Sequence, residues 1–110
     1  METPKVFVPN KSHHFFKVAL RYGKLIYVTT AHQSRYNINS MARCWQAVLL
    51  DSQPTDYILL TSLNTLCSVG ASIFGAMHGR LNLLIWKEGR YIAREIILND
   101  KGDRFNDSSN

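Results

Sequence analysis

Two short apolar runs, YILL at 57–60 and LNLLIW at 81–86, constrain this chain more than any other feature. A strand with one face in water alternates apolar and polar residues. A strand that does not alternate is buried on both faces, as in a parallel sheet covered by helices. Between the two runs lies a segment dense in small and apolar residues, Leu63 to His78, closed by Gly79. Its length and its terminal glycine read as a helix. Strand, helix and strand in that order form a right-handed crossover unit.

The remaining segments extend the same alternation. KVFV at 5–8 reads as a strand stopped by Pro9 and Asn10. Residues 12–22 read as a short helix with Ser12 as its cap, Phe15, Phe16, Ala19 and Leu20 on one face, and Gly23 as its end. LIYVT at 25–29 is β-branched and aromatic, hence a second strand. Residues 30–39 are polar and read as a loop. Met41, Cys44, Trp45, Val48 and Leu49 then form one apolar stripe at helical spacing. Asn39 or Ser40 is its expected N-cap, and Ser52 to Pro54 its end. KEGR at 87–90 is a hairpin turn, and YIAREIIL at 91–98 an edge strand returning antiparallel to 81–86.

The resulting order, β-α-β-α-β-α-β-β, predicts a small three-layer α/β domain. Its sheet is mostly parallel, in the flavodoxin-like order 2-1-3-4, with strand 5 as an antiparallel C-terminal edge hairpin. If 12–22 is not helical, strands 1 and 2 form a hairpin instead and the class becomes α+β. Residues 1–98 form one domain, and the polar tail 99–110 is expected to fray. A chain of 110 residues buries a core without disulfides or metals.

The net charge of +5 is unevenly spread. Residues 1–50 carry Lys5, Lys11, Lys17, Arg21, Lys24, Arg35 and Arg43 against Glu2 alone, whereas acidic and basic residues nearly balance beyond residue 50. A basic half suits an anionic partner, and a solvated basic face would look the same. Cys44 and Cys67 fall in apolar helical segments without a CxxC pair and read as reduced, buried thiols. Pro4 and Pro9 interrupt the only early apolar run, so no signal peptide is expected, and the 63–78 helix is too short for a membrane span of about 20 residues. The expected location is cytoplasmic.

In an open α/β sheet, ligands bind beyond the carboxyl ends of the strands. Three polar segments emerge there, after strands 1, 2 and 3. They offer Lys11, Ser12 and His13; Thr30, His32 and Arg35; and Ser62 and Asn64. The first and third precede helix N-termini, which favour anions. Lys11 and Arg35 would hold phosphate oxygens, with Ser12, Thr30 and Ser62 donating hydrogen bonds. Ser12 and Ser62 would serve equally as plain helix caps. Neither a GxxxxGK[ST] loop nor a GxGxxG motif is present.

No catalytic set, cofactor or metal site is expected. His13 and His14 are adjacent and point apart on a helix or strand. Asp51 and Asp56 flank a turn. His78, in the last turn of its helix, would carry partial charge and complement the helix C-terminus. The leading reading is therefore a small binding module for an anionic ligand, a nucleotide or phosphorylated small molecule. A second is nucleic-acid binding through the basic half, with Tyr36 beside Arg35 as a stacking platform.

Gly70 and Gly75 each weaken the 63–78 helix by about 1 kcal/mol relative to alanine. They lie about 140° apart around it. Small residues thus face two sides, one toward the sheet and one toward either the 40–51 helix or the same helix of a second copy. The latter would make a homodimer through Leu63–His78.

PNKSHH at 9–14 and HGRLNLLIW at 78–86 resemble small proteins encoded by bacteriophages. The resemblance spans most of the chain. It implies a phage origin and no particular activity, and it adds a third reading, an accessory protein that binds and modulates a host protein.

Overall fold

Five strands form one sheet in the order β2-β1-β3-β4-β5 in the computed structural model, which describes residues 3–11, 16–29 and 36–103. The strands are β1 (Lys5–Asn10), β2 (Lys24–Thr29), β3 (Tyr57–Leu59), β4 (Arg80–Lys87) and β5 (Arg90–Ile97). The β1–β2, β1–β3 and β3–β4 pairs are parallel and β4–β5 is antiparallel, the order and directions expected from the sequence. Glu88 and Gly89, both at positive φ (51° and 86°), make the two-residue turn between β4 and β5. β1 runs on through Pro9 instead of stopping at Val8. β3 pairs only with Val6 and Phe7, so opposite Pro9 the ladder needs no donor on that side.

One face of the sheet carries both long helices, α1 (Ile38–Leu49) and α2 (Asn64–His78). Phe7, Val28 and Ile58 from the sheet meet Met41, Trp45, Leu49, Leu66 and Phe74 from the helices in one buried cluster. The α1 stripe read from the sequence is the stripe that packs. Trp45 is fully buried, and its indole Nε1 donates to the Leu66 carbonyl at 2.9 Å. A Cβ on Gly70 would lie 2.3 Å from the Trp45 ring, so α2 can approach α1 this closely only with glycine there. Of the two neighbours expected for the small-residue side of α2, the Gly70 side meets α1, and Gly75 sits against Leu81 and Leu98 of the same chain. Gly79 then closes α2 in the left-handed region (φ 68°), its amide bonded to the Gly75 carbonyl.

Among the described residues the other face is covered by one 3-10 helix, Lys17–Tyr22. The 12–22 helix expected from the sequence is therefore shorter and tighter among the described residues, and Phe16 stands at its cap position without a side-chain cap bond. Ala19 and Phe16 pack on Val6, Val8, Leu59, Leu84 and Tyr91. The Tyr22 hydroxyl donates to the Tyr91 carbonyl at 2.8 Å. Strands 1 and 2 stay parallel, so the class is α/β and not α+β.

Two helix starts differ from the expected caps. Asn37, not Asn39 or Ser40, caps α1: its side chain accepts from the Ser40 amide at 3.2 Å, the N3 contact a cap makes. At α2 the cap position is Leu63, without a side-chain cap bond, so Ser62 does not cap it. Beyond β5, residues 100–103 form a helical turn in which Gly102 is buried, and Gly79 O accepts from the Leu98 amide at 2.9 Å. Among the described residues no helix is long and apolar enough to cross a membrane.

Candidate functional site

The strand order reverses between β1 and β3. From β1 the chain moves to β2 on one side; from β2 it passes back over β1 to β3 and on to β4. Right-handed crossovers then put the 3-10 helix on one face and α1 and α2 on the other. The connections after β1 and β3 lead to strands on opposite sides, and in open sheets of this order ligands bind beyond the carboxyl ends of two such strands.

Three of the expected site residues lie at that edge. Lys11 follows β1, exposed, its ammonium 5.6 Å from the centroid of the Tyr27 ring, within cation–π range. The ends of β1 and β2 are clamped beneath it: Lys11 N donates to Thr29 O at 2.9 Å, Asn10 Nδ2 to Thr29 Oγ1 at 2.6 Å, and Thr29 Oγ1 to Pro9 O at 2.8 Å. Ser62 and Asn64 follow β3, both exposed, at the start of α2. The loop is anchored by Thr61, whose amide donates to Cys67 Sγ at 3.4 Å and whose hydroxyl accepts from the Leu63 amide at 3.2 Å. The first turn of α2 has neither a side-chain cap bond nor an acidic residue. Ser12, His13, Thr30, His32 and Arg35 lie outside the described residues. The basic side chains of the N-terminal half divide between layers: Lys17 and Arg21 on the 3-10 helix, Arg43 on α1 across the sheet.

A second polar region, not anticipated from the sequence, lies at the opposite end of the sheet. On the face carrying the 3-10 helix, a cleft of about 450 Å³ opens over β3, β4 and β5, lined by Pro54, Tyr57, Arg80, Asn82, Arg94 and Glu95 among others. Arg80 is ion-paired to Glu95, and its Nε donates to Asn82 Oδ1 at 3.2 Å. Asn82 Nδ2 donates to the carbonyls of Pro54 and Asp56. Asp56, 2 % exposed, accepts from the amides of Lys5 at 2.9 Å and Gln53 at 2.8 Å, which ties β1 to the turn before β3. The turn role expected of Asp56 thus extends to holding two strands. The one sequence signal for this network is Asn82 itself, a polar residue inside LNLLIW.

His78 is also buried. Ser52 Oγ donates to the Leu49 carbonyl at 2.7 Å, so it accepts from His78 Nε2 at 2.8 Å. With its proton committed to a carbonyl, Ser52 is not an activated nucleophile. Burial and the nearby Lys101 hold the imidazole pKa below its ordinary value, opposed by Asp56. The ring is therefore neutral near pH 7, not the partly charged partner of a helix end. Cys67 is buried and Cys44 half-buried, both unbridged. Among the described residues no group of three or more His, Cys, Asp or Glu could hold a metal ion.

No curated protein and no solved structure matches the chain. A family model described as "Phage Pam3 gp32-like protein" matches residues 4–99, a span that takes in all five strands and both long helices. The phage resemblance of the two motifs is thereby met, and the chain belongs to the Phage Pam3 gp32-like protein family.

Proposed function

We propose that this protein is a small binding module for an anionic ligand, a nucleotide or another phosphorylated small molecule, held at the carboxyl edge of the parallel strands. The observation that carries the reading is the reversal of strand order between β1 and β3, with Lys11 beyond one strand and the α2 N-terminus beyond its neighbour. The first turn of α2 carries no competing carboxylate, so its amides suit an external oxyanion. Lys11 supplies the charge, Ser62 and Asn64 the neutral donors. Ser12, His13, Thr30, His32 and Arg35 follow β1 and β2 in the sequence and carry the hydroxyl, imidazole and guanidinium groups that such a ligand would need. The division of Lys17, Arg21 and Arg43 between two layers favours this reading over a continuous nucleic-acid surface.

Thermal unfolding with a panel of nucleotides and sugar phosphates tests it. A ligand at 100 times its Kd raises stability by about 2.7 kcal/mol, several degrees in midpoint for a domain of this size. Lys11→Ala should abolish the shift. A panel in which no compound moves the wild-type midpoint rejects the reading.

A further inference from the structure

The cleft at the other end of the sheet has a feature that packing alone does not require. Arg80 is 4 % exposed. Arginine is seldom buried so deeply unless paired, and an apolar residue of similar size often serves stability as well. Here the guanidinium is held in place: Nε is fixed by Asn82 Oδ1, and Asn82 is fixed in turn by the carbonyls of Pro54 and Asp56. Its carboxylate partner is the reverse. The Glu95 side chain is 60 % exposed on the edge strand and free to turn into water. Arg94 lines the same opening, and Tyr57 and Pro54 give the cleft an apolar wall. A preset cation and an exposed anion that water can reach form an exchange site more than a structural ion pair.

We propose that this cleft binds a small oxyanion-bearing molecule with a flat apolar part. Its carboxylate or phosphate ester takes Arg80 in exchange for Glu95, and its ring lies along Tyr57 and Pro54. Guanidinium matches both oxyanions with paired hydrogen bonds, which a lysine would not. Glu95 serves as a built-in competitor: it satisfies Arg80 in the empty cleft and swings out when ligand arrives. This site is separate from the one proposed at the carboxyl edge.

Titration of ¹⁵N-labelled protein with benzoate, phenyl phosphate and inorganic phosphate tests the proposal. The expected result is movement of the Ala93, Arg94 and Glu95 amides, the Asn82 side-chain amide and Arg80 Nε, with the ring-bearing probes binding more tightly than inorganic phosphate. The tighter of benzoate and phenyl phosphate identifies the oxyanion. Glu95→Gln should tighten binding about fivefold, the worth of an exposed ion pair no longer competing. Arg80→Lys should weaken it, and Lys11→Ala should leave it unchanged. If Arg80→Lys does not fold, the Glu95→Gln titration decides, since Glu95 is exposed. The proposal is overturned if these resonances stay still in wild type and Glu95→Gln up to about 10 mM probe. It is equally overturned if Glu95→Gln binds no more tightly than wild type, or if movement is confined to Lys11, Ser62 and Asn64.

Discussion

The two faces of the sheet are covered unequally, and the chain lengths available explain why. Residues 11–23 join β1 to β2, barely the dozen or so that a parallel crossover needs. Among the described residues they furnish one 3-10 helix. The connections on the other face are residues 30–56 and 60–79, each long enough for a full helix. That face is dry: Phe7, Trp45, Leu49, Ile58 and Phe74 are all fully buried. The thinly covered face keeps apolar packing beneath the 3-10 helix, but past it, over β4 and β5, the sheet carries Arg80, Asn82 and Glu95 around an open cleft. Past the described part of this crossover, polar side chains finish the surface and a cleft stays open.

The sharpest way to break this comparison is Trp45→Ala. The indole fills the gap opposite Gly70 and bonds the Leu66 carbonyl. Its removal leaves a large cavity on the dry face and takes the indole donor from the Leu66 carbonyl. A loss of about 4 kcal/mol is expected in urea unfolding. A loss under about 1.5 kcal/mol would mean that the helical face is not the main source of stability.

Asn82→Ala probes the open face by the same measurement. It strips hydrogen-bond partners from Arg80 Nε and from the carbonyls of Pro54 and Asp56. Because the cleft is open, water re-solvates part of what is lost. About 2 kcal/mol is expected, below the Trp45→Ala effect. If the order of the two variants is reversed, the polar network and not the apolar layer dominates.

The same contrast explains what the sequence discloses. The apolar runs at 57–60 and 81–86 point to parallel strands, although 81–86 is less buried than expected, with Trp86 52 % exposed at its end, and the 41–49 stripe points to a helix lying on them. These patterns are local, and the handedness rule adds how each crossover turns. The open face is not local. Asn82 meets the carbonyl of Asp56, 26 residues away, and Asp56 meets Lys5, 51 away, so neither partner is legible from neighbouring residues. Arg80 reads as an ordinary basic residue until β5 returns beside it. The helix starts fail for a related reason. Asn37, Asn39, Ser40 and Ser62 are all competent caps by type, and backbone geometry chooses among them. At α2 it chooses none, because the residue at the cap position is Leu63, whose side chain has no acceptor.

Tyr22→Phe tests how firmly the short crossover is held. The hydroxyl reaches from the 3-10 helix to the Tyr91 carbonyl across the centre of its face, and the ring packs edge-on against Tyr57. Deleting one oxygen keeps the ring contact and removes only that hydrogen bond. A loss of about 1 kcal/mol is expected. Hydrogen exchange should quicken in Val18 to Tyr22 before it changes in α1 or α2. Uniform quickening would show that the two layers open together and that the asymmetry has no dynamic consequence.

The smallest expected effect is a pH dependence that belongs to the helical side. His78 ends α2 with its ring 4.5 Å from that of Phe74 and its Nε2 on Ser52, at the C-terminal end of α1. Burial and Lys101 lower its pKa below the ordinary 6.5, so the unfolded chain takes up a proton at a pH where the folded chain does not. By linkage, stability falls where the unfolded state binds more protons. It should therefore be flat in this residue above about pH 7. It should decline as pH drops through 6.5, and level off once pH is below the folded value. Protonation leaves the Nε2–H···Ser52 bond intact, so the decline reflects only the charging of a buried ring near an ammonium group. His78→Gln keeps a donor toward Ser52 and has no proton to gain. Comparing unfolding midpoints of the two proteins between pH 5 and 8 should show the wild type losing stability relative to His78→Gln on the acid side. Parallel curves would mean that the ring is charged in the folded state at no cost, and that the helical layer is wetter at its end than its packing implies.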